Sequence, residues 1–174
     1  MDIRWGYRLW QGVMRLRALV SPPDATDAQR LLSAEAWALF RGLSAGDRAH
    51  SLRVLNALRQ RGVSSTELLQ AALLHDVGKA EGRLTLVHRT FIVCLRRLKP
   101  GWLVRLANPQ PDSWRYPFYV YLRHAELGAE RCAQAGCSPA VVALVRHHEK
   151  PLDQISDAAL RAGVALLAEA DDRC

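Results

Sequence analysis

Residues 64–80, SSTELLQAALLHDVGKA, decide how this chain is read. Ser64 and Glu67 stand at capping-box spacing, where the serine hydroxyl takes an orphan N–H of the first turn. The apolar run behind them predicts a helix to about Asp76. His75-Asp76 therefore falls at the end of that helix. Gly78 is placed to turn the chain there, and Lys79 puts a cation beside the negative end of the helix dipole.

The neighbouring segments read the same way. Ser44 and Asp47 open a preceding helix that stops at Gly62 and carries His50 in its first turn. Helices joined by a short loop are normally antiparallel, so His50 should face His75-Asp76. The arrangement recurs downstream. A helix over 118–135 starts near His124 and stops at Gly136. Ser138-Pro139 then opens one that closes on His147-His148, before Pro151. A last helix over about 157–172 ends with Asp171. Asp171 would lie about 20 Å along its helix from a start beside His148. The 151–156 loop is long enough, when extended, to close that gap.

Upstream, a helix runs from about Thr26 or Ser33 to Arg41, and residues 3–19 form a candidate amphipathic helix ended by Ser21-Pro22-Pro23. Residues 84–107 read as one bent or two short basic helices around Pro100-Gly101, and 108–117 as a proline-rich loop. No segment alternates like a strand and no Asn-Gly or Asp-Gly hairpin turn occurs, so the expected fold class is all-α.

Composition agrees with a folded domain. The chain has 174 residues, 49% hydrophobic and 24% charged, enough to bury a full core without staples. That balance excludes a disordered chain, a collagen and a minimal disulfide scaffold. We expect one structural domain, with helices of 1–45 packing on a domain over 46–174 and an insertion at about 80–118. No apolar run is long enough to span a bilayer. The N-terminus alternates apolar residues with arginines and does not resemble a secretory signal. Cys94, Cys132, Cys137 and Cys174 form no CxxC pair and are read as reduced thiols of a cytoplasmic protein. The formal charge of +7, mostly from arginine, favours an anionic partner.

Imidazole and carboxylate are good ligands for iron, manganese and zinc. A carboxylate can also bridge two ions, and Asp76, next to a histidine, is the natural bridge. The ordered set DRAHSLRV, ALLHDVGK, RHAELGAE, VRHHEKP and AEADD resembles the HD superfamily of metal-dependent phosphohydrolases over residues 46–172. LLHDVGK is the piece most similar to that superfamily's signature. The resemblance implies an HD-domain helical bundle. It also implies that His50, His75, Asp76 and Asp171 hold one divalent metal. Asp76 would bridge to a second held by His124 and by His147, His148 or both. Asp171 rather than Asp172 matches the terminal aspartate, with the other register left open. The doubled histidine resembles the binuclear branches, including HD-GYP phosphodiesterases, but Lys150-Pro151-Leu152 stands where the GYP motif would follow.

The expected activity is hydrolysis of a nucleotide or related small phosphate ester by a metal-activated water. Asp76 and Lys79 would be the catalytic residues, Lys79 holding a substrate phosphate. A non-catalytic regulatory or binding module on the same scaffold is the alternative. Arg83, Arg89, Arg96, Arg97 and Lys99 form a basic stretch, read first as a solvated face and second as a substrate or nucleic-acid contact. Trp102, Trp114, Tyr116, Phe118, Tyr119 and Tyr121 are read mainly as packing residues, and His88 lies outside the histidine pattern. Trp5, Tyr7 and Trp10 belong to the first helix, whose expected role is packing, with membrane-surface contact second.

Overall fold

The computed structural model describes residues 25–82, 85–98 and 100–174. The expected helix over 3–19, with Trp5, Tyr7 and Trp10, lies outside the described residues, as do Arg83 and Lys99. The described residues form nine α-helices and no strand: α1 (Thr26–Leu31), α2 (Ala34–Gly42), α3 (Ala45–Gln60), α4 (Thr66–Leu74), α5 (Leu86–Leu98), α6 (Pro100–Leu106), α7 (Tyr116–Gln134), α8 (Pro139–His147) and α9 (Ala158–Asp172). A 3-10 segment, Val77–Gly82, follows α4, and a short one, Leu152–Gln154, precedes α9. The fold is all-α.

Side-chain caps set most of the helix starts. Ser33, Ser44, Ser65, Ser138 and Asp157 have extended backbones and accept from the N–H three residues on. Ser44 Oγ also donates to Asp47 Oδ2 at 2.6 Å, so the aspartate bonds the capping hydroxyl itself. At α4 the cap is Ser65, not Ser64: Ser65 Oγ accepts from Leu68 N at 3.3 Å and donates to Glu67. With two adjacent serines, spacing alone did not choose between them. Pro117 fits the first turn of α7, so that helix begins at Tyr116, earlier than the 118 expected. Gly62 and Gly136 follow α3 and α7 with φ of 78° and 72°, which only glycine adopts freely. The span from Thr26 to Arg41 is two helices, because Leu32 is extended and Ser33 starts a new cap.

α4 is the axis of the molecule. Leu68, Leu69, Ala71, Ala72, Leu73 and Leu74 are all buried. A short helix apolar around its circumference must be surrounded, and α1, α2, α3, α8 and α9 pack against it. The part of 1–45 that is described joins this core through Ala28, Leu32, Ala36, Phe40 and Leu43.

α5 and α6 stand apart from that core. They pack on the start of α7 through a small cluster of Ile92, Leu103 and Phe118, with Leu95, Leu106 and Tyr121 around it. They form the two-helix arrangement around Pro100-Gly101. No described helix is long and apolar enough to cross a membrane. All four cysteines are free thiols.

Candidate metal centre

One contact fixes the centre before any ligand is considered. Gly78 in the 3-10 segment lies against α7 so closely that a Cβ there would meet His124 O at 2.1 Å and Gly128 N at 2.7 Å. Only two backbones without an intervening side chain approach like this. The contact carries Asp76, just before the segment, up to His124 on α7. Glu81 locks the far end, accepting from Tyr116 Oη at 3.1 Å and from Arg131 Nε.

Two groups of possible ligands result: His50, His75 and Asp171, then Asp76, His124 and His148. Within each, one ligand atom per residue lies within 4.8 Å of the others. In the first, His50 Nε2 is 2.6 Å from Asp171 Oδ1, and His75 Nε2 is 3.6 Å from the same oxygen. In the second, His124 Nε2 is 3.6 Å from Asp76 Oδ1 and 3.3 Å from His148 Nε2. Asp76 joins them, since its other oxygen, Oδ2, is 3.6 Å from His75 Nε2. Each oxygen of this carboxylate thus faces a different histidine group. His75, Asp76, His124 and His148 are buried, whereas His50 and Asp171 are half-buried on the solvent side.

The histidines are held in one tautomer. His75, His124 and His148 place Nδ1 at 3.0, 2.8 and 2.7 Å from the carbonyls of Ala72, Tyr121 and Val145. A carbonyl only accepts, so each Nδ1 carries a proton, and His124 and His148 turn an Nε2 lone pair to the centre, while His75 Nε2 is the position where a proton or a metal is held. Metal-binding histidines are oriented this way. The Nε2 lone pairs of His124 and His148 then face one another at 3.3 Å, an arrangement that calls for a cation between them. Burial pushes both rings down to about 4, so near neutral pH that cation is not a proton.

Among the described residues four buried side-chain atoms have no hydrogen-bond partner, Ser51 Oγ, Arg53 Nε, His75 Nε2 and Asp76 Oδ1, and the last two belong to the centre. One belongs to each group. Leaving buried polar atoms unpaired is costly, and both are good donors to a metal ion. The donor set therefore fits divalent metal.

The charges support the same centre. Burial alone would raise the Asp76 carboxyl, but Lys79 and His75 hold it well below the usual carboxylate range. Burial likewise opposes ionisation of Asp171, and the hydrogen bond from His50 together with the nearby charge of His75 outweighs it. For His75, burial pulls down and the Asp76 and Asp171 carboxylates win, taking the ring up to about 9. That nitrogen attracts positive charge, as a proton or as a metal. Lys79 Nζ lies 2.7 Å from Asp76 Oδ2. Burial disfavours its charge, but Asp76 keeps it protonated.

The structure brings together His50, His75, Asp76, His124, His148 and Asp171. His147 enters neither group: it ends α8 half-buried, with Nδ1 2.8 Å from Ala143 O. Consecutive helical residues point about 100° apart, and the turn aims His148 inward, not His147. Asp172 is exposed and enters neither group. His88 lies on the α5 arm with Nε2 3.2 Å from Trp114 O.

Glu149 went unnoticed in the sequence. Its exposed carboxylate comes within 3.8 Å of His124 Nε2, and its position directly after His147-His148 was the available signal. Comparison of the chain with protein-family models, curated proteins and solved structures gives no match.

Proposed function

We propose that this chain is a metal-dependent phosphohydrolase of the HD type, acting on a nucleotide or another small phosphate ester. The observation that supports it best is the divided Asp76 carboxylate, one oxygen toward His75 and the other toward His124. In this reading His50, His75 and Asp171 hold one ion, His124 and His148 hold the second, and Asp76 serves both. Bound iron, manganese or zinc would supply positive charge opposite the phosphoryl oxygens and a water of lowered pKa.

The chain's own residues set the conditions for that chemistry. The carbonyls of Ala72, Tyr121 and Val145 fix the histidine tautomers. Lys79 keeps Asp76 ionised and holds its Oδ2, which leaves Oδ1 aimed at His124. Lys79 is thus a positioning residue in this proposal, in place of the direct phosphate contact expected from sequence. Burial of His75, Asp76, His124 and His148 keeps bulk water from the shared side of the centre. Substrate would enter over the partly exposed His50 and Asp171 and the exposed Glu149.

The test is elemental analysis of protein purified without chelator or histidine tag, followed by phosphodiester turnover with the metal found. About two ions per chain is the expected content for a binuclear site. Protein that takes up no metal after anaerobic reconstitution, or that turns over equally well without it, sinks the proposal.

A further inference from the structure

A second feature of the molecule owes nothing to the metal centre. Val87, Phe91, Cys94 and Leu98 recur on α5 at the spacing that places them along one helical face. All four are exposed. Phe91 and Leu98 are 55% and 75% exposed, and on α6 Val104 is 67% exposed, with Trp102 beside it on the surface. The inward stripe of α5 is a different set, Ile92 and Leu95, which packs on Leu103 and Phe118. The arm therefore has two apolar stripes and buries one.

Single exposed apolar residues need no explanation, but an aligned series with aromatic members does. The charge around it is one-sided. No Asp or Glu occurs between Glu81 and Asp112 in the sequence, whereas Arg97 and Arg105 lie on the exposed surface of the same two helices; Arg96 faces α7, where Tyr121 Oη accepts from it.

We infer that the α5–α6 arm docks on an anionic lipid surface, with Val87, Phe91, Leu98 and Val104 entering the headgroup boundary and Arg97 and Arg105 meeting lipid phosphates. Interfacial helices combine these features: an apolar face with aromatic residues, basic flanks and no capacity to span the bilayer. A nucleic acid would engage the arginines but offer nothing to Val87, Leu98 and Val104, because its affinity comes chiefly from phosphate contacts. The apolar stripe and the lack of acidic residues thus favour lipid.

The test is co-sedimentation of the full chain with vesicles of equimolar phosphatidylcholine and phosphatidylglycerol, and with pure phosphatidylcholine. The expected result is binding to the mixed vesicles, little binding to the neutral ones and weakening as salt rises. Phe91→Ser with Leu98→Ser should lower partitioning by about tenfold or more, with helix content and metal content unchanged. Leu98→Ser alone, at the most exposed of these positions, should lower it by a smaller factor. No binding to mixed vesicles, or equal binding by wild type and the double variant, overturns the inference. So does retention of duplex DNA by both proteins without vesicle binding, which would assign the arm to nucleic acid.

Discussion

The surroundings of α4 and the α5–α6 arm are built from similar amino acids and held in opposite ways. α4 is enclosed by five other helices, and its end delivers His75 and Asp76 to the centre. The arm rests on three buried side chains, Ile92, Leu103 and Phe118, and leaves its second apolar stripe in water. Stability is not uniform in such a molecule. The candidate ligands sit on the more enclosed part, which is expected to open only with global unfolding, whereas the arm, with fewer buried contacts, is expected to open locally. The two parts still touch: Arg96 on α5 donates to Tyr121 Oη at 2.9 Å, and the Tyr121 carbonyl orients His124.

The largest effect should come from the residue that both groups share. Asp76→Ala removes a ligand from each and leaves Lys79 without its buried partner. Metal content should fall from about two ions per chain toward none, and turnover to background. Turnover equal to wild type would mean that Asp76 does not join two ions. Next comes a test of the two cores. Leu73→Ala should cost about 2–5 kcal/mol of global stability, the usual range for emptying a packed leucine site. Ile92→Ala removes a similar side chain from a cluster whose edges are free to relax. It should speed hydrogen exchange in α5 and α6 while leaving the melting temperature of the main core nearly unchanged. Equal losses of global stability would show that arm and core fold as one unit.

Gly78→Ala tests how the core aims the site. The new methyl would meet the His124 carbonyl at 2.1 Å, and backbone cannot rotate out of its way. We expect a loss near the upper end of the ~1–3 kcal/mol that overpacking costs, with metal affinity lost more severely than fold. Circular dichroism beside metal titration separates the two. Full metal affinity in a destabilised variant would mean that the Val77–Gly82 segment does not set the distance from Asp76 to His124.

Much of this was legible in the chain because local signals agreed. Ser44 and Ser138 marked helix starts, and Gly62 and Gly136 marked the ends of α3 and α7. Antiparallel neighbours then put His50 near His75-Asp76 and His124 near the end of α8. What stayed hidden depended on tertiary contact. Gly78 read as a turn residue, yet its task is to let two backbones touch. Lys79 was expected to hold a substrate phosphate; its ion pair with Asp76 is a local i,i+3 contact, and its side-chain direction is what the spacing left open. Glu149 reaches His124 only through the turn after α8. The exposed stripe of α5 looked like ordinary helical periodicity, since a sequence gives the faces of a helix but not which of them is covered.

His147 offers the smallest and most discriminating effect. It neighbours His148, has the same side chain and binds a backbone carbonyl through the same nitrogen, Nδ1. The difference lies in direction. The His148 ring is 5.1 Å from that of His124 and 5.3 Å from that of His75, centroid to centroid, whereas the His147 ring lies in neither ligand group. His147→Ala should therefore leave metal content and turnover within about twofold of wild type and cost no more than ~0.5 kcal/mol of stability, as for an ordinary partly exposed position. His148→Ala should empty the second group while sparing the first, and metal content should fall to about one ion per chain. If His147→Ala is the variant that loses an ion, the last turn of α8 rearranges when metal binds, and the two histidines exchange roles.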